Sequence, residues 1–240
     1  MSYDGQPLTF TLTGSTVTAL LPERDGFAHR VTVTAADASG NLGRASLDIP
    51  ADAGRTSPFT DMSGHWAESY VNYLYDHGIS TGVASGDSYL FQPTKNITRG
   101  EFALMVARWM RLDLTAYSAV PLPFADTASI PDWCLNAVKA MYALGIMQGS
   151  SNGGSALYAN TTQTISRAEA LTMLGRIQQK GYAAADLTVY ADAAAIPSWA
   201  AEHIASMAAQ GVISGRPDGT LAPTTPVTRC EIAKILYAMR

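Results

Sequence analysis

The sequence predicts a mainly α-helical fold, built as three helix–loop–helix repeats behind a small antiparallel β module. Three observations carry this prediction. A five-residue phrase is written three times, as ITRGE (97–101), ISRAE (165–169) and VTRCE (227–231), and each copy opens an amphipathic stretch. Tryptophan recurs at a near-constant interval: Trp66 to Trp133 is 67 residues and Trp133 to Trp199 is 66. The first fifty residues instead alternate apolar positions with threonine, as half-buried strands do.

In chain order, strands are expected at residues 8–14 (LTFTLTG), 15–21 (STVTALL), 29–37 (HRVTVTAAD) and 43–49 (GRASLDI), with turn chemistry in DASGN at 37–41. Asp4, Glu23, Asp25, His29 and Asp37 are scattered through this module as loop and turn residues. Residues 51–58 (ADAGRTSP) read as a linker, and the repeats fill 59–240, as 59–111, 124–179 and 190–240.

Each repeat opens with aromatic–x–Asp: Phe59–x–Asp61, Phe124–x–Asp126, Tyr190–x–Asp192. A helix follows, with apolar residues five and eight after the tryptophan: Val71/Leu74, Val138/Met141, Ile204/Met207. It ends at Gly78, Gly145 or Gly211, the left-handed stop, followed by the apolar Ile79, Ile146 or Val212. A glycine-rich loop beginning at Gly82, Gly149 or Gly215 leads to the second helix. Thr98/Glu101, Ser166/Glu169 and Thr228/Glu231 are capping boxes that start it: the hydroxyl accepts the Glu amide and the carboxylate reaches back to the cap amide.

Arg99, Arg167 and Arg229 have no such explanation. They fall in the first helical turn, where the dipole disfavours a cation. Two readings stand: a local salt bridge with the stem over apolar surface, or three equivalent sites for an acidic ligand at helix N-termini that already favour anions.

The net charge of −4 and the absence of a Lys/Arg run give no support to nucleic-acid binding. No apolar stretch is long enough to span a membrane, and the N-terminus lacks a signal-peptide pattern, so an exported protein would be represented here by a fragment. No histidine cluster points to a metal, and no cofactor motif is present. Cys134 aligns with Ala67 and Ala200, and Cys230 with Gly100 and Ala168, so two buried free thiols are expected.

The combination F-x-D … W … G-[IV]-x-x-G … P … [IV]-[TS]-R-x-E resembles the S-layer homology domain in three copies, over residues 59–240. Residues 1–50 resemble part of a bacterial immunoglobulin-like module. The first resemblance implies a pseudo-threefold spindle of helices, monomeric, with grooves between repeats that hold acidic cell-wall polysaccharide, often through a pyruvate ketal on N-acetylhexosamine. It implies an extracellular anchor at the cell wall or S-layer of a Gram-positive-type bacterium, and arginines that bind the ketal carboxylate. The alternatives are a structural or self-assembling S-layer module, or the anchor of a larger enzyme.

On that reading, Trp66, Trp133 and Trp199 are core residues first and groove walls second. Asp61, Asp126 and Asp192 cap turns before the first helix and can also orient an arginine or accept sugar hydroxyls. Gly82, Gly149 and Gly215 are backbone necessities that also permit close approach of ligand. No catalytic pair is expected, because the recurrent glutamates are committed to capping. Arginine-to-alanine changes are expected to spare the fold. Repeat 2 departs most from the family, lacking the loop proline that Pro93 and Pro223 supply, so Arg167 is expected to matter least.

Overall fold

The computed structural model describes residues 1–3, 6–21, 29–37, 39, 42–49, 57–151, 153–178 and 184–240. Asp4, Glu23 and Asp25, most of the expected linker and part of the turn at 37–41 lie outside them.

In the N-terminal module, β1 (Ser2–Tyr3), β2 (Gln6–Pro7), β5 (His29–Ala36) and β6 (Leu42–Ile49) form an antiparallel sheet in the order β2-β1-β5-β6. The two long strands pair over their full length, from His29 opposite Ile49 to Ala36 opposite Leu42. Asp37 starts the turn between them by accepting from the Ser39 amide at 2.8 Å. The runs expected at 8–14 and 15–21 shrink to a separate exposed hairpin, β3 (Thr11–Thr13) and β4 (Thr16–Thr18), around Gly14. With neither β3 nor β4 presenting a buried residue, alternation alone does not extend them. His29 is a strand residue rather than a loop one, buried and stacked on Tyr3.

Six helices follow. Repeat 1 contains α1 (Glu68–Asp76) and α2 (Arg99–Trp109), with a hairpin of β7 (Val83–Ser85) and β8 (Ser88–Leu90) in its loop. Repeat 2 contains α3 (Asp132–Ala143), β9 (Ser150–Ser151), β10 (Leu157–Tyr158) and α4 (Arg167–Ile177). Repeat 3 contains α5 (Ser198–Ala209) and α6 (Arg229–Ala238). Helices of 9 to 12 residues thus hold the core while loops make up much of each repeat. The small hairpins were not expected; Val83-Ala-Ser and Ser88-Tyr-Leu pair across a turn that Gly86 permits.

The expected helix boundaries hold. Gly78, Gly145 and Gly211 have φ of 67°, 71° and 68°. The next amide (Ile79, Ile146, Val212) returns to the carbonyl of Leu74, Met141 or Met207, which closes the helix end. All three capping boxes are complete in both directions.

The repeats do not bury their helices internally. α2 packs on α3, α4 on α5, and α6 returns to α1. At the centre the residue before each capping box forms a closed backbone cycle. Ile97 N–H donates to Val227 O at 3.0 Å, Val227 to Ile165 at 3.1 Å, and Ile165 to Ile97 at 3.1 Å. All three side chains are fully buried. Beyond the capping Thr or Ser, the next two amides of each phrase donate onward: Arg99 and Gly100 to Gln163 and Thr161, Arg167 and Ala168 to Thr225 and Pro223, Arg229 and Cys230 to Lys95 and Pro93.

Cys134 and Cys230 are free and buried. Burial pushes the Cys134 thiol up to about 11. Its sulfur and the Thr161 carbonyl oxygen each lie 3.1 Å from where a Cβ on Gly100 would stand, so Cys134 is one of two neighbours that keep Gly100 small. Gly100→Ala is expected to cost about 1–3 kcal/mol through that crowding, and Cys134→Ala in the same chain to recover part of the loss. Strictly additive losses in a double-mutant cycle of urea melts would contradict this.

Candidate functional site

The site grows from the aspartates. Asp61 accepts the amides of Phe91 and Gln92 at 2.8 and 2.7 Å. Asp126 holds Ala159 and Asn160, and Asp192 holds Leu221 and Ala222, all at 2.8 Å. The second residue of each pair has positive φ: Gln92 at 60°, Asn160 at 51°, Ala222 at 56°. Each carboxylate therefore clamps a strained loop corner ahead of the second helix. This corrects the expectation of turn capping: Asp126 and Asp192 make no side-chain cap bond to the short 3-10 turns they precede. With both oxygens engaged, these aspartates are loop anchors.

The glycine beside each corner makes room for the repeat's opening aromatic. A Cβ on Gly82 would stand 2.3 Å from the Phe59 ring, on Gly149 2.6 Å from Phe124, and on Gly215 2.9 Å from Tyr190. Gly149 and Gly215 also line grooves.

The arginines reach across repeats into these corners. Arg99 Nε donates to Ala159 O and Arg229 Nε to Phe91 O, both at 2.8 Å. Arg99 Nη1 pairs with Glu169 at 2.6 Å, while Arg167 meets Glu231 and Arg229 meets Glu101 at 3.7 Å. Side-chain exposure of the three is 3%, 9% and 7%. The pairing is ionic, as one reading had it, but not local: each arginine meets the capping glutamate of the following repeat. One oxygen of each glutamate takes the cap amide and the other faces the arginine. Burial pulls all three guanidinium pKa values below their ordinary range, opposed by the facing glutamates. Glu101 and Glu231 are raised by burial, but their cap amides and nearby cations outweigh this and hold them low.

Two expectations change as a result. The first-turn amides already have protein acceptors, so these helix N-termini present no bare amides to an anion. Removing Arg99 would take from Glu169 its paired cation, so that change is expected to cost stability, whereas Glu101 and Glu231 would keep Lys95 and Arg216.

Grooves open beside two of these pairs. One, of about 330 Å³, includes Arg99 of repeat 1, Glu169 and Arg176 of repeat 2, and Trp199 of repeat 3. The other, of about 360 Å³, includes Trp66 of repeat 1, Arg167 of repeat 2, and Arg216, Glu231 and Lys234 of repeat 3. Trp66, Trp133 and Trp199 are 56%, 54% and 55% exposed, so they are surface rings and not core. They stand at the starts of the first helices, on the side facing solvent. Trp133 lies on α3, which packs against the helix that Arg99 and Glu101 begin.

Sequence reading gave the glutamates a capping role alone and passed over Arg176, Arg216 and Lys234. The last two stand where other repeats carry Ser150 or Val83, and Thr172 or Leu104, so no repeated signal marks them. Among the described residues no cluster of ligating side chains suits a metal ion.

Comparison with known proteins bears on all three repeats. The S-layer homology domain model matches residues 58–103, 123–154 and 189–233. An amylopullulanase of Thermoanaerobacterium thermosulfurigenes is 29% identical over 188 residues, which is 75% of this chain and 9% of the relative. The exoglucanase XynX of Acetivibrio thermocellus is 28% identical over 75% of this chain and 16% of its own length. A surface-layer 125 kDa protein of Lysinibacillus sphaericus is 28% identical over 84% of this chain and 16% of its own. The chain thus spans less than a fifth of each of these relatives. Because the three family matches fall in order on the three structural repeats and cover just over half of the residues, the chain belongs to the S-layer homology domain family.

Proposed function

We propose that the chain fastens a larger protein to the bacterial cell wall without a covalent bond, by holding acidic secondary cell-wall polysaccharide in the grooves between repeats. The charged group recognised is a carboxylate, with a pyruvate ketal on N-acetylhexosamine as the form the family resemblance implies. The observation that carries this reading is the composition of the grooves: a buried arginine–glutamate pair beside a half-exposed tryptophan. The guanidinium offers charge-assisted hydrogen bonds and the indole an apolar platform for a sugar face.

The family places the chain at the cell surface. The relatives include glycan-processing enzymes and surface-layer proteins, each matched over a small part of its length, which supports an anchor indifferent to its cargo. The chain itself is proposed to be non-catalytic: its recurrent carboxylates hold loop amides, helix caps and arginines, leaving no opposed acid–base pair among them. The closed cycle of contacts supports a monomeric pseudo-threefold arrangement of 59–240, behind a partial immunoglobulin-like module at 1–50 and a linker at 51–58. No described helix is long and apolar enough to cross a membrane.

The test is sedimentation of the chain with purified cell-wall polysaccharide, before and after mild acid removal of ketals. Binding is expected to fall at least tenfold after the treatment. Equal binding to both preparations would remove the ketal from the proposal, and binding to neither would remove the glycan.

A further inference from the structure

Resting on that acidic-glycan reading, we propose that the groove of Trp66 and Arg167 is the primary anion-binding groove, and that Arg216 makes it so by drawing Glu231 away from Arg167. The three arginines are equivalent in sequence but not in their pairing. Arg99 makes both contacts: its Nη1 lies 2.6 Å from Glu169 and its Nε donates to Ala159 O. Arg229 stands 3.7 Å from Glu101, but its Nε donates to Phe91 O. Arg167 has neither contact in full. It meets Glu231 only at 3.7 Å, and its buried Nε has no hydrogen-bond partner.

The cause is visible on Glu231. The Glu231 oxygen that faces Arg167 also accepts from Arg216 Nη2 at 3.2 Å, as the Glu101 oxygen that faces Arg229 accepts from Lys95 Nζ at 2.9 Å. Of these two arginines, however, only Arg229 keeps a carbonyl acceptor for its Nε. Lys234 lines the same groove, so three cations share it with one carboxylate. The groove of Arg99 is lined by two cations, and one of them, Arg176, donates to Ile146 O at 2.7 Å. A buried cation with an incomplete complement of acceptors is a costly arrangement that an incoming carboxylate relieves. Burial lowers the pKa of Arg167, and the positive charge of Arg216 lowers it further against the pull of Glu231, which records the same crowding.

This reverses the ranking expected from repeat 2's irregular loop. That loop forms the wall of the groove of Arg99, because each arginine points into the following repeat.

The tryptophans report on the grooves separately: Trp66 on this one, Trp199 on that of Arg99. The experiment titrates the methyl glycoside of a pyruvate-ketal N-acetylhexosamine into the 15N-labelled full chain and follows the four indole N–H signals, with Trp109 as internal control. The Trp66 signal is expected to move at the lowest ligand concentration. Arg216→Ser is expected to weaken that response about tenfold or more, with little change in melting because this side chain is about a third exposed. Lys234→Thr, which restores repeat 2's residue, is expected to weaken it as well. Earlier movement of Trp133 or Trp199, or an unchanged Trp66 response in both variants, overturns the choice of groove and leaves the acidic-glycan reading standing. If no indole moves in a chain that melts normally, the acidic-glycan reading itself is overturned, and this inference with it.

Discussion

Removal of residues 190–240 is expected to unfold the two repeats that remain. α4 would lose α5, and α1 would lose α6, so two of the three helix interfaces disappear together. Ile204, Met207, Val227, Ile232, Ile235 and Leu236 are all buried at 3% exposure or less, and much of what they cover belongs to other repeats. At about 1.5–3 kcal/mol for each such side chain, the loss exceeds the roughly 5–15 kcal/mol by which a domain is usually stable. Polar groups would be stranded as well. Ile97 N–H would lose Val227 O, Ile165 O its donor, and the Arg167 and Ala168 amides their acceptors on Thr225 and Pro223. Circular dichroism of the truncated chain should show reduced helicity and no sharp thermal transition. A truncated chain that melts cooperatively with native helicity would mean that the repeats are self-sufficient.

Arg99→Ala is expected to give the largest loss of stability among the three arginine changes. It removes a 2.6 Å ion pair and a carbonyl contact at once, and leaves Glu169 without its cation. Breaking a buried pair in this way costs about 3–5 kcal/mol, or roughly 10 °C in a chain of this size. Arg167→Ala should cost less, because its pair is longer, its Nε has nothing to lose, and Arg216 stays on Glu231. Arg99→Lys should recover only part of the loss, since an ammonium cannot make both contacts of the fork. Calorimetric melting of the four variants checks the order. Equal losses for Arg99→Ala and Arg167→Ala would mean that the difference in pairing carries no energy.

The features legible in the sequence are those whose partners lie within a few residues. Thr98 and Glu101 are three apart, and Gly78 closes a turn begun at Leu74, so spacing alone located the caps and stops. The long strands β5 and β6 were legible because alternation and the turn at Asp37 agree. The site was not legible in the same way. Arg99 meets a glutamate 70 residues on, and Asp61 holds amides 30 residues on. An arginine and a glutamate two apart in one phrase look like neighbours, yet each finds its partner in a different repeat. The tryptophans misled for another reason: a large ring at a helix start matches a core position in composition, and only the packing shows which way it faces.

The central cycle through Ile97, Val227 and Ile165 also limits how such a chain can change its length. Each strand segment there gives one hydrogen bond and receives one, so the junction has no spare donor or acceptor to offer a newcomer. An open array can gain a unit at its end and keep every older contact. Here a fourth copy arising by duplication would find its buried amide and carbonyl without partners, as would any pair left after a deletion. Copy number in this closed arrangement is therefore expected to change by complete triplets, a firmer hold coming from a second closed set.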